Sequence, residues 1–125
     1  MAGKQTNEVE VVMKKILPDV VINSAAMADV DKCEEEREKC WSVNVDGVKN
    51  LVNVCERYGD HLVHISTDYI FDGKKEGGIY HEDDAPSPQG VYAESKLAGE
   101  DVILSSGISS SILRTILVYG IHERK

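Results

Sequence analysis

Tyr92 and Lys96 lie four residues apart in Val91-Tyr92-Ala93-Glu94-Ser95-Lys96, a spacing that stacks the two side chains on one face if the segment is helical. An ammonium beside a phenol favours the phenolate and pulls the phenol's pKa down from about 10. A phenol tuned in this way can exchange a proton with a carbonyl or alcohol oxygen near neutral pH. None of Tyr58, Tyr69, Tyr80 and Tyr119 has a lysine four residues on. The same spacing suits an ordinary solvated helix face, so the surrounding elements decide what the pair does.

Those elements alternate. Residues 8–17 (EVEVVMKKIL) place Val9, Val12, Met13, Ile16 and Leu17 at helical spacing until Pro18 blocks continuation. The β-branched run Asp19 to Asn23 reads as a buried parallel strand, and its exit, Ser24 to Ala28, is nearly bare of side chain. Small residues at a strand's carboxyl end suit either a tight turn or close approach of a ligand. Asp31 and Glu34 have the spacing of a capping box, and Glu34, Glu35 and Glu36 suit a solvated first turn. A helix is expected from Ser42 to Tyr58, with Val45, Val48, Val52 and Cys55 as its apolar stripe and Gly59 as its stop. Asn44 is either a surface residue or, if it faces the sheet, an amide needing backbone partners.

His61 to Asp68 forms the second strand, with His61 and His64 on opposite faces, so they are not joint metal ligands. Ser66 and Thr67 reach its carboxyl end, where their hydroxyls are expected in the crevice. Gly73 to Gly78 reads as a polar, mobile loop, prolonged by Asp83, Asp84, Pro86, Ser87 and Pro88. The Tyr92 helix then runs to about Ser106 with Gly107 as its stop, and Ser111 to Val118 is the third strand. The expected fold class is α/β, a doubly wound, Rossmann-like parallel sheet over one domain, residues 1–125.

Composition narrows the function. The 125 residues are 42% apolar and 29% charged, ordinary globular values. Fourteen basic against 22 acidic residues give a net charge of −8, which argues against nucleic acid and anionic membranes as partners. No apolar run approaches the ~20 residues of a membrane span, and a cytoplasmic protein is expected. Cys33, Cys40 and Cys55, with no C-x-x-C, are expected to be reduced and packed, and no metal site is expected.

INSAAMADVDK, SVNVDG, HISTDYIFDG, VYAESKLAGE and LRTILVYG, in that order, resemble the dTDP-4-dehydrorhamnose reductase family of the extended short-chain dehydrogenase/reductase superfamily. The resemblance runs from about Pro18 to Gly120. It implies reduction of a nucleotide-linked 4-keto sugar with NADPH or NADH, with Thr67 holding the substrate carbonyl, Tyr92 donating the proton, and Lys96 lowering the phenol's pKa and holding the nicotinamide ribose. It further implies Ala26, Met27, Ala28 and Ile65 at the cofactor, and Asp68 and Leu117 at the substrate. Leu117 stands where the family usually carries Trp, and the family's opening G-x-x-G-x-x-G turn has no counterpart in these residues. The segment therefore reads as the middle of a reductase, lacking the first glycine-rich βαβ unit. On that basis it is expected to expose strand edge and apolar surface, to associate with itself as a homo-oligomer, to bind dinucleotide weakly and to be inactive alone. A non-catalytic regulatory or binding subunit of the same fold, such as the beta subunit of methionine adenosyltransferase, and a sugar-nucleotide epimerase or dehydratase are the other readings open.

Overall fold

The computed structural model describes residues 2–123. Helix α1 spans Ala2–Ile16; Leu17 then takes a left-handed φ of 50° before Pro18, a conformation a branched side chain adopts only under constraint. Strand β1 is Val20–Asn23. Helices α2 (Val30–Glu35) and α3 (Arg37–Trp41) follow, and a π-helical turn over Ser42–Asp46 leads without a break into α4, Gly47–Tyr58. Strand β2 is His61–Thr67, α5 is Val91–Ser106 and β3 is Ser110–Thr115. Gly59 and Gly107, at φ 74° and 73°, end α4 and α5 in the left-handed conformation that glycine reaches without steric cost.

The three strands form one parallel sheet in the order β1-β2-β3, with Val20 opposite His61 and Leu62 opposite Ser110. Parallel neighbours need crossovers, which α2 to α4 and α5 supply. Val48, Val52 and Cys55 of α4, Leu62 of β2 and Ile103 of α5 make one core cluster, with Val21 and Ile112 packed against it. The apolar stripe of α4 thus meets the sheet as its periodicity requires. Cys33, Cys40 and Val91 form a second cluster with Met27 and Tyr92 against it, and all three cysteines are free and buried.

Several expectations are corrected. Strand β1 is buried on one face only: Val21 packs against the core, whereas Val20 and Ile22 are 49% and 68% exposed because alternation turns them to the opposite sheet face, where Leu113 is exposed as well. The third strand stops at Thr115 rather than Val118, since its last partner, Thr67, ends β2 and the chain there turns into a 3-10 helix over Asp68–Ile70. Asp31 and Glu34 form no capping box; Asp29 caps α2 by accepting from the Lys32 amide at 3.0 Å. The 73–78 loop is cross-braced: Phe71 stacks on Tyr80 at 4.4 Å, the Tyr80 hydroxyl donates to Asp72, and Lys75 pairs with Asp84 at 2.6 Å.

Candidate functional site

Helix α5 begins after Gly90, whose φ of 90° suits only glycine and whose missing side chain leaves the helix without a cap of its own. One turn in, Ser95, Lys96, Gly99 and Glu100 are buried. Gly99 is required by a close approach, because a Cβ there would stand 2.8 Å from the Asn44 carbonyl oxygen. This contact seats α5 against the π-helical turn and sets the height of Tyr92 and Lys96 over the sheet.

Thr67 ends β2, the Tyr92 phenol lies beside it, and Lys96 reaches the same strand two residues earlier. The Thr67 hydroxyl accepts from the Tyr69 amide at 3.2 Å and lies close enough to the Tyr92 phenol to favour its charged form. Lys96 donates from Nζ to the Ile65 carbonyl at 2.9 Å. Tyr69 packs edge-on against Tyr92, ring centres 5.8 Å apart. The electrostatics differ from the expectation. Burial raises the Tyr92 phenol above its ordinary pKa, with the Thr67 hydroxyl opposing, and burial lowers the Lys96 ammonium, with Glu100 opposing. A low-dielectric setting disfavours both charged forms, and Lys96 spends one N–H on Ile65, so the depressed phenol read from the spacing is not present in this state.

The strand exit lies beside this group. Ala26 and Ala28 are exposed and Met27 is half-buried. Asn44, 2% exposed, resolves its two alternatives in favour of the interior: its Oδ1 accepts from the Met27 amide at 2.8 Å and its Nδ2 donates to the Met27 carbonyl and the Ser95 hydroxyl, each at 3.0 Å. One amide therefore ties the exit to the helix bearing Tyr92. Asn23 ties the exit to β2 instead, accepting from the Ala25 amide at 3.2 Å and meeting His64 Nδ1 at 3.1 Å.

Ser66 is a further correction. Its hydroxyl points inward, donating to buried Glu100 at 2.6 Å; the same carboxylate accepts from Arg114 at 2.7 Å, so alternation along β2 sends only Thr67 toward the crevice. Asp68 lines a cavity of about 540 Å³ with Phe71, Tyr80, His81, Arg114 and Ile116. Leu117, 83% exposed beyond β3, is not brought to the group. Glu100 and Arg114 escaped the sequence reading, and Glu34 was read only as a first-turn residue of α2. A helix start at Gly90 with no capping side chain was the one signal that pointed to a distant partner such as Glu34. Among the described residues no group of His, Cys, Asp and Glu is placed to hold a metal ion, and no helix is long and apolar enough to cross a membrane.

Comparison with known proteins places this geometry. The dTDP-4-dehydrorhamnose reductase of Mycobacterium tuberculosis is 45% identical over 104 residues, covering 81% of this chain and 34% of that protein. The dTDP-4-dehydrorhamnose reductase of Bacillus anthracis, solved in complex with NADP, is 34% identical and superposes with a TM-score of 0.88 over 95% of this chain and 42% of its own. The hypothetical dTDP-4-dehydrorhamnose reductase of Sulfolobus tokodaii is 43% identical, with a TM-score of 0.77 over 90% of this chain and 40% of its own. The chain thus spans about a third of the length of the curated relatives it matches, 34% for the M. tuberculosis protein. The sequence model of the RmlD substrate binding domain matches residues 1–125, and the chain belongs to that family.

Proposed function

We propose that residues 1–125 are part of the dinucleotide-binding domain, and carry the catalytic segment, of an NAD(P)H-dependent reductase of a nucleotide-linked 4-keto sugar of the dTDP-4-dehydrorhamnose type. What supports this reading is the placement of Thr67 at the carboxyl end of β2, with the Tyr92 phenol beside it and Lys96 on the Ile65 carbonyl of the same strand. When bound, NADPH or NADH would supply the hydride for the C4 carbonyl carbon. The Thr67 hydroxyl orients the carbonyl oxygen, and Tyr92 gives that oxygen its proton. A phenol held above its ordinary range by burial is fully protonated at neutral pH, which suits a donor. Lys96 keeps two N–H groups beyond the one on Ile65, enough to hold a ribose hydroxyl and to stabilise the phenolate left after transfer. The exposed Ala26 and Ala28 beside Met27 leave the strand exit approachable by a cofactor, and the lining of a cavity by Asp68 supports a role for its carboxylate toward substrate hydroxyls. The exposed Val20 and Ile22 support self-association of the isolated chain.

The test replaces the matching segment of the M. tuberculosis reductase with Pro18 to Gly120 of this chain and assays the chimera on a dTDP-4-keto sugar with each nicotinamide. Turnover that falls by about 10² or more on Tyr92→Phe, with little change in binding, is expected. Near-normal turnover in the Phe variant removes Tyr92 from the mechanism.

A further inference from the structure

Tyr92 is the second residue of α5, in the first turn, where three backbone amides lack intrahelical acceptors and fraying is easiest. Gly90 offers no side chain to cap them. The acceptor comes from α2, 57 residues away in sequence: Glu34 Oε1 takes the Val91 amide at 2.7 Å. Its other oxygen is held by Arg37 at 3.1 Å, so the carboxylate is braced on both sides. The fit is close, since a Cβ on Gly90 would stand 2.8 Å from Glu34 Oε1. Beneath it Cys33, the neighbour of Glu34, packs with Val91, Met27 and Tyr92 in one buried cluster. A carboxylate at this end of a helix also faces the positive end of the macrodipole.

We propose that Glu34 is a positioning residue for Tyr92: it caps the helix bearing Tyr92 in trans and holds the phenol in its buried place beside Cys33, Met27 and Val91. The division of labour within α5 follows from distance. Lys96, a full turn further on and tied to the Ile65 carbonyl, does not need the cap; Tyr92 does. The proposal rests on the reading of Tyr92 as proton donor for its purpose, but its test does not depend on turnover.

The test compares the 125-residue chain with Glu34→Ala and Glu34→Gln, using amide hydrogen exchange and the titration of Tyr92 followed by ¹³Cζ NMR. In Glu34→Ala the Val91 and Glu94 amides, the latter bonded to the Gly90 carbonyl, are expected to lose roughly tenfold in protection, the size of a lost cap, while amides around buried Ile103 hold. The phenol, raised chiefly by burial, is expected to titrate lower as its first turn opens. Glu34→Gln, which keeps an acceptor oxygen at the same reach, restores both signals. Unchanged protection and titration in Glu34→Ala, an equal loss along all of α5, or no rescue by Gln overturns the proposal. Absence of reductase activity in the chimera, with these signals as expected, defeats the functional reading and leaves the capping role standing.

Discussion

The two seams of the central strand β2 are closed by opposite chemistry. On the β3 side, Glu100 of α5 is 1% exposed and takes Arg114 of β3 at 2.7 Å and Ser66 of β2 at 2.6 Å, while Arg114 also reaches the Glu82 carbonyl at 2.9 Å. On the β1 side, His64, equally buried, hydrogen-bonds Asn23, and among the described residues its Nε2 has no hydrogen-bond partner. Burial, with Lys96 nearby, pushes the His64 imidazole down to about 4. A charged seam survives burial because its charges are paired and bonded. A neutral one survives because its ring stays uncharged. Acid therefore threatens the second seam through the imidazole itself.

Three measurements sharpen that contrast. Glu100→Gln leaves the Arg114 guanidinium, 21% exposed, without its counter-charge, and urea unfolding at neutral pH is expected to show a loss of about 3–5 kcal/mol; a loss under about 1 kcal/mol would mean that the seam is held by packing. The second is a pH series. His64 has a folded pKa of about 4 against about 6.5 unfolded, so its contribution is complete above about pH 6.5 and drains away as pH falls toward 4, by up to about 3 kcal/mol. Urea midpoints across that window should drop more in the parent chain than in His64→Gln, and parallel curves would show that the ring does not titrate there. The smallest effect belongs to Asn23→Ala, which strands the Ala25 amide and His64 Nδ1 at about 1–2 kcal/mol. An unchanged midpoint would leave the β1 seam without an anchor at Asn23.

The sites of misreading follow the same division. The helix from Val91 to Ser106 and its Gly107 stop were legible because spacing and a left-handed glycine are local signals. So was the valine stripe of α4, each member buried where the period of 3.6 places it. The period of 2 along β2 already separates Ser66 from Thr67, but no local pattern announces that Glu100, 34 residues on, waits beneath Ser66. Glu34 looked like one of three solvated carboxylates, and only the approach of Gly90 set it apart.

By itself the sequence determined the alternation of helices and strands, the parallel sheet, and the placement of Thr67, Tyr92 and Lys96 toward one end of it, since periodicity, stops and strand direction are carried by neighbours in the chain; Ile65 entered only through the family resemblance. Only the tertiary structure decided the environment of those groups. Burial raises the Tyr92 phenol where the i, i+4 spacing alone argued for lowering it, and the Ile65 carbonyl claims part of Lys96. Partners 41 residues apart join Asn23 to His64, and partners 57 apart join Glu34 to Val91. Desolvation and such distant pairings depend on which surfaces meet when the chain closes, and a one-dimensional pattern carries no record of that.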